Sequence, residues 1–319
     1  MRLFIIALIL LAALPAAAED SHAVIVMYHR FGDSRYPSTN STIEQVKAHI
    51  AYLQKGGFHV LPLEEIVAAL KDGGNLPDKA VAITVDDSYK TFYTHAWPHF
   101  REAKMPVTLF VATDDLDKKR RDFMSWDELR QAVKEGLYIG NHSVHHPHMS
   151  RLSGEEIEQE INGAQQRLQD ELGIAPKLFA YPFGDYDERV KDAVKKSGFN
   201  AAFAQVSGVA YPANDFYAIP RFALNENYGK PSRFKELIDA LPLPLKLEKR
   251  EGQKITLRLT AALKDKITCY ASPPGDKPLA IEAQNDVLVM TLPENMGAHA
   301  RLNCTAPSGK RWRWWSMGL

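Results

Sequence analysis

The chain has 319 residues, more than one hydrophobic core usually organises, which points to one large domain of roughly 200–250 residues with a smaller companion. Hydrophobic residues make up 45% and charged residues 24%, ordinary globular values that exclude a largely disordered chain. The 39 basic residues balance 39 acidic ones, which excludes the uniform positive field of a dedicated nucleic-acid binder and gives no attraction to an anionic membrane surface.

Arg2, the apolar run Leu3–Pro15 and the small residues Ala16, Ala17 and Ala18 ahead of Glu19 form the pattern of a secretory signal over residues 1–18. The run falls short of the ~20 apolar residues a membrane helix needs. No stable membrane insertion is therefore expected once the signal is removed, and the product is expected in the periplasm or outside the cell. From Ala23 onwards short apolar runs alternate with helical periodicity. Ala23–Tyr28, Val81–Val85, Val107–Val111, Leu137–Ile139, Leu178–Ala180 and Ala201–Ala204 read as buried strands. Apolar residues three and four apart predict helices over Ile43–Leu53, Leu63–Leu70, Tyr89–Ala103, Trp126–Lys134, Glu155–Leu172 and Arg189–Lys196. Ser125 with Glu128 and Ser153 with Glu156 are capping boxes that satisfy orphan amides at two helix starts. Such alternation implies parallel strands, in an open sheet or a barrel, with functional residues at their carboxyl ends.

Leu241-Pro242-Leu243-Pro244 breaks the pattern and is read as the start of a linker, 241–248, that closes a first domain over 19–240. Beyond it the period drops to two: Ile255, Leu257 and Leu259 alternate, followed by Lys266–Tyr270, Val287–Thr291 and Ala300–Cys304. This predicts a small antiparallel sandwich over 249–319. The only two cysteines, Cys269 and Cys304, both fall in it, and an exported protein meets oxidising conditions, so a disulfide stapling two of its strands is expected.

The chemistry gathers at strand ends. Four of the eleven histidines, His142, His145, His146 and His148, follow directly on Leu137–Ile139. His142 and His146 are four apart, which on one helical turn would point both imidazoles the same way, as a two-histidine metal site requires; His145 is an alternative partner. Two cysteines are too few for a cysteine zinc site, so any metal is held by histidine and carboxylate. Ile83-Thr84-Val85 runs straight into Asp86-Asp87, and adjacent carboxylates at the mouth of a buried strand are costly to place there without a cation. One can bind the metal while the other acts as general base towards a water. Helix capping ahead of Ser88-Tyr89 would also account for the aspartates alone, but not for the histidines beside them in the pattern.

The ordered set Thr84-Val85-Asp86-Asp87-Ser88, His142-Ser143-Val144-His145-His146-Pro147 and Tyr181-Pro182-Phe183-Gly184 resembles the motifs of the polysaccharide deacetylases of carbohydrate esterase family 4, over roughly Ala23 to Ala240. Those motifs read Thr-Phe-Asp-Asp-Gly, His-Ser/Thr-x-x-His and Arg-x-Pro-Tyr-Gly. The resemblance implies a distorted (β/α) barrel, followed here by the small all-β sandwich-like domain. It also implies Asp87, His142 and His146 as ligands of a divalent metal ion, with zinc the default and cobalt, nickel or iron compatible with the same donors. Asp86 would be the general base and the Phe183 backbone amide an oxyanion donor. Ser88 and Val85 depart mildly from the motif. Ala180 departs more seriously, because many members carry there the arginine that orients the catalytic aspartate; Arg221 is a candidate substitute. The downstream Leu-x-His that supplies the general acid is missing, and after His148 the next histidine is His299. Tyr28-His29, ending the first strand, is similar to the poly-β-1,6-N-acetylglucosamine deacetylase branch, in which an N-terminal Tyr-His strand supplies the acid, and this makes His29 the candidate.

The expectation is a metal-dependent deacetylase that hydrolyses N-acetyl, or by the same parts O-acetyl, groups of an acetylated glycan outside the cytoplasm. Two rivals keep the same residues. A glycan-binding protein on this fold would not turn over, and a non-haem iron oxygenase built on two histidines and a carboxylate would have no task for Asp86. In Arg311-Trp312-Arg313-Trp314-Trp315, Trp312 and Trp314 share one face of a strand and offer either a platform for sugar rings or a packing face against the larger domain. The remaining histidines, His49 among them, read as solvated or packed.

Overall fold

Every residue of Ala23–Tyr28 and Ala80–Asp86 is buried, which only a strand covered on both faces satisfies. In this computed structural model, which describes residues 21–272, 275, 277–294, 296 and 300–319, these are β1 and β2 of a parallel half-barrel. The expected signal over 1–18, and His299, lie outside the described residues. The sheet continues through β3 (Val107–Val111), β4 (Tyr138–Asn141), β5 (Leu178–Ala180), β6 (Ala201–Phe203) and β7 (Phe222–Ala223), in the order β7-β1-β2-β3-β4-β5-β6. Alternate residues of β1 feed two separate cores: Val24, Val26 and Tyr28 one, Ala23 and Ile25 the other. Burial on both faces fixes the register, because a slip by one residue would exchange the two sets.

Helices cover the sheet where the apolar periodicity places them. The capping boxes at Ser125 and Ser153 form as expected, and Thr42 with Gln45 builds a third at the start of Ile43–Lys55. The single helix expected over Tyr89–Ala103 is instead a π-helical turn, Phe92–Ala96, running into a short α-helix, Trp97–Glu102. Pro98 accounts for the difference: it has no N–H to bond back one turn, so the chain restarts with the proline in the first turn of a new helix.

After the half-barrel come two four-stranded sheets. One joins Leu241–Pro242, Arg311–Gly318, Arg301–Ser308 and Thr268–Ser272; the other joins Leu245–Glu251, Lys254–Leu259, Val287–Thr291 and Glu282–Gln284. Between them lies a third core of Ile255, Leu257, Leu288, Met290, Leu302 and Trp315, among others. Cys269 and Cys304 sit directly opposite each other on adjacent strands and are disulfide-bonded. The stretch 241–248, expected as a linker, is strand at both ends: Leu241–Pro242 pairs in parallel with Arg313–Trp314. Pro242 is tolerated because it lies on the outer edge of its sheet, where a missing donor costs no ladder bond.

The tryptophan cluster also resolves differently from an open platform. Trp314 packs edge-on against Phe222 of β7, with centroids 5.5 Å apart, and Arg233 lies over its ring. Trp315 fills the sandwich core, and of the three only Trp312 is exposed. Two ring positions on one strand face are thus split by the border between the domains, the inner one partly buried against the half-barrel core. Further bonds fasten this border: Tyr211 donates its hydroxyl to the carbonyl of Leu245, and Arg311 donates to that of Asp239.

Candidate active site

Each chemical group stands just past the carboxyl end of a parallel strand. β1 delivers His29, β2 ends in Asp86 and leads into Asp87, β4 leads into His142, and β5 leads into Tyr181-Pro182-Phe183. The backbone turns there are unusual. Of nine non-glycine residues with positive φ among the described residues, five lie at this mouth: Asp87, Ser88, Ser143, His146 and Phe183. Left-handed backbone costs an ordinary residue roughly 1 kcal/mol, so its concentration here marks a place where geometry is imposed. His142 and His146 do not share a helical turn, as their spacing suggested. A tight loop brings them together, with Asn141 accepting from the Ser143 amide and Ser143 Oγ accepting from the His146 amide.

Asp87, His142 and His146 bring one donor atom each to within 4.8 Å of one another. Asp87 Oδ1 lies 3.2 Å from His142 Nε2 and 3.1 Å from His146 Nε2. His142 Nδ1 is 2.7 Å from the carbonyl oxygen of Ala180, which only accepts, so Nδ1 carries the hydrogen and Nε2 presents a lone pair. Asp87 Oδ1 and His142 Nε2 are both buried without a hydrogen-bond partner of acceptable geometry. Two acceptors aimed at one point repel unless a cation lies between them, so these residues fit a divalent metal ion. Burial alone would raise the Asp87 carboxyl, yet His142 and His146 hold it well below the usual carboxylate range. Burial likewise works to depress His146, and the neighbouring carboxylates, Asp87 foremost, leave it raised instead. His145 is not part of the set; it turns outward to Glu160 at 2.6 Å.

Asp86 is wholly buried and answered by Arg221, also wholly buried, through two bonds of 2.8 Å, Nη1 to Oδ1 and Nη2 to Oδ2. Arg221 Nη1 also reaches Thr84 Oγ1 and Nε reaches the carbonyl of Ala204, each at 3.2 Å, while the rings of Phe110 and Phe203 flank the guanidinium. Burial pushes the Asp86 carboxyl up, but Arg221 and then His142 outweigh it, so Asp86 is held below its ordinary value and stays ionised. Arg221 thus reaches Asp86 from a position 41 residues beyond Ala180. His29 lies close enough for its charge to lower both carboxyls. Phe183 adopts φ 58°, its ring stacked on His148 at 4.2 Å and edge-on to His146 at 4.4 Å.

Several neighbours were missed in the sequence. Tyr89 follows the aspartates and is pushed up chiefly by burial and then by the charge of Asp87; Arg30 lies 3.5 Å over its ring and 4.0 Å from that of Tyr36. Its position one residue past Ser88 was the available signal. Asp185 gave none, lying 37 residues from His148, the member of the histidine cluster that it meets beside Phe183.

This half-barrel, with two histidines and a carboxylate gathered beside a paired second aspartate, resembles the polysaccharide deacetylases. The sequence profile of that family, described as polysaccharide deacetylase, matches residues 73–202, and the chain carries a domain of this family. Among curated proteins it is similar to the poly-beta-1,6-N-acetyl-D-glucosamine N-deacetylase of Staphylococcus aureus (strain MRSA252), 24% identical over 271 residues that span 71% of this chain and 93% of that one. Among solved structures it resembles the Streptococcus pyogenes deacetylase PplD in complex with acetate, at a TM-score of 0.64 and 20% identity, covering 69% of this chain and 99% of that one. It also resembles IcaB from Ammonifex degensii, at 0.61 and 22%, covering 69% and 99%. At these identities the structural likenesses establish the fold.

Proposed function

We propose that this protein is a metal-dependent hydrolase that removes N-acetyl groups from an extracytoplasmic polysaccharide or oligosaccharide such as poly-β-1,6-N-acetylglucosamine. The observation that carries the reading is the pairing of an unanswered donor set, Asp87, His142 and His146, with a separate ionised carboxylate, Asp86, clamped by Arg221. A non-catalytic sugar-binding protein has no use for a wholly buried aspartate held ionised beside a metal site, and the relatives named for N-deacetylation support the hydrolytic choice.

Asp87, His142 and His146 would hold the divalent ion, zinc by donor type, which when bound supplies Lewis acidity to the acetamide oxygen and makes a water acidic. The chain's own residues do the rest. Each Asp86 oxygen gives one lone pair to Arg221 and retains another, so the carboxylate takes the proton of the attacking water while Arg221 fixes its orientation. The Phe183 amide donates to the oxyanion as the carbonyl becomes tetrahedral, its backbone held in place by the stacked His148 ring. His29, on the same mouth, gives a proton to the sugar nitrogen as acetate departs.

The test is acetate release from N-acetylglucosamine oligomers in β-1,6 and β-1,4 linkage, chitin, peptidoglycan and acetylated xylan, before and after chelation. Release from an N-acetylated glycan that chelation abolishes and zinc restores supports the reading. Binding to glycan with no acetate released at any metal loading would contradict it.

A further inference from the structure

A cleft of about 820 Å³ opens between the half-barrel and the sandwich, and Phe183 lines one end of it. Its volume lies in the upper part of the range for small-ligand sites, enough for a segment of chain rather than one ring. The half-barrel wall carries Asp185, Tyr186, Asp187, Glu188 and Asp215, and the sandwich wall carries Lys246, Arg250 and Arg301. With Lys191 added, the lining holds four acidic and four basic side chains, so neither an anionic nor a cationic polymer is favoured over a neutral polar one.

Most of these charges are already occupied. Lys191 bridges Glu188 and Asp215 at 2.8 Å, and Asp185 accepts from Ser150. Arg301 differs: it is half-buried, and its side chain makes no hydrogen bond or ion pair among the described residues. A half-buried guanidinium with no side-chain partner, still reached by water in a cleft, is a donor fork open to carbonyl or hydroxyl oxygens. Opposite it, Tyr186 is stacked on Tyr181 and turns its hydroxyl towards Gly318, the strand partner of Arg301.

We infer that this interdomain cleft is a second glycan site, which holds the neutral, acetylated amino-sugar chain beyond the unit being deacetylated, with Arg301 donating to its acetamide and hydroxyl oxygens. This rests on the deacetylase reading for the direction of the chain, since Phe183 joins the cleft to the catalytic mouth. It gives the sandwich a task that Trp312 and Trp314 do not perform. The consequence is a preference for long chains over short ones.

Calorimetric titration of the full-length protein after chelation, with dimers and hexamers of N-acetylglucosamine in both linkages, tests this without turnover. Two variants act by different routes: Arg301→Ala removes the donor, and Gly318→Phe fills the cleft where an added Cβ meets only the Tyr186 hydroxyl, at 3.9 Å. The wild type should bind one of the hexamers at least about tenfold more tightly than the corresponding dimer, and both variants, folded by circular dichroism, should lose that difference. No chain-length preference in the wild type, or hexamer affinity kept within about twofold in both variants, would overturn the inference. Acetate release by the zinc-loaded wild type is read separately. Hexamer binding that depends on Arg301, without any release, would sustain the cleft and refute the catalytic reading.

Discussion

Replacing Arg221 by Met keeps much of the side-chain volume and removes only the charge and its hydrogen bonds. What is lost can be counted from the structure: two charge-assisted bonds of 2.8 Å to Asp86, one bond to Thr84 and one to the Ala204 carbonyl, all inaccessible to water. Removing one partner of a buried pair leaves the other charge without hydration, which costs about 3–5 kcal/mol. At about 2–4 °C per kcal/mol for a domain of this size, the melting transition of the half-barrel should fall by about 6–20 °C. Far-ultraviolet circular dichroism near the helical minimum follows the right part of the molecule, because among the described residues the helices lie before Leu241. The double variant Asp86→Asn/Arg221→Met removes both charges and should regain at least about 2 kcal/mol over Arg221→Met in urea unfolding, since a buried pair replaced as a unit is often near neutral. An Arg221→Met protein within about 1 kcal/mol of wild type, or a double variant no more stable than the single one, would refute the view that Arg221 exists to answer Asp86.

Other consequences can be read from the same packing. His49 is buried, bonded to the Tyr28 hydroxyl and the Gly229 carbonyl and stacked on Phe234, and burial lowers its pKa to about 4. The unfolded chain therefore takes up this proton first, so stability is full above pH ~6.5 and falls by up to about 3 kcal/mol as pH drops to ~4; His49→Gln should flatten that slope, and an unchanged slope would contradict the assignment. An added Cβ at Gly140 runs into the ring of Phe110, which lies against Arg221, so Gly140→Ala should cost about 1–3 kcal/mol and weaken metal retention through the adjoining loop. Metal content after dialysis, with the melting temperature, checks both. Ser88 holds φ 59° with a buried hydroxyl that finds no partner, so Ser88→Gly should stabilise by about 1 kcal/mol in urea unfolding; a loss would show the hydroxyl has a task.

The sequence disclosed those parts of the site that lie on single strand ends. Asp86-Asp87 and the histidine cluster stand directly after apolar runs, and a buried parallel strand leaves little choice about where its last residues emerge. Arg221 was legible only as a candidate, since its distance of 135 residues from Asp86 says nothing of contact and only the assembled sheet, with Ile219 bridged to Phe203, brings it across. The loop joining His142 to His146 escaped because residue spacing assumes regular backbone, whereas left-handed Ser143 and His146 make the turn. Prolines misled at Pro242 and went unheeded at Pro98, because their effect depends on whether a missing N–H faces a neighbour or an edge. The tryptophan run showed an alternation that was real but could not show which face a second domain covers, and Arg301, with no motif around it, left no trace at all.

The reading stands or falls on Asp86. In the Asp86→Asn variant the metal donors are untouched, so bound zinc measured by elemental analysis should match wild type while acetate release from N-acetylglucosamine oligomers falls by about 10²–10⁴-fold, the contribution of a positioned base. Turnover retained alongside the metal would contradict the assignment of that proton transfer to Asp86.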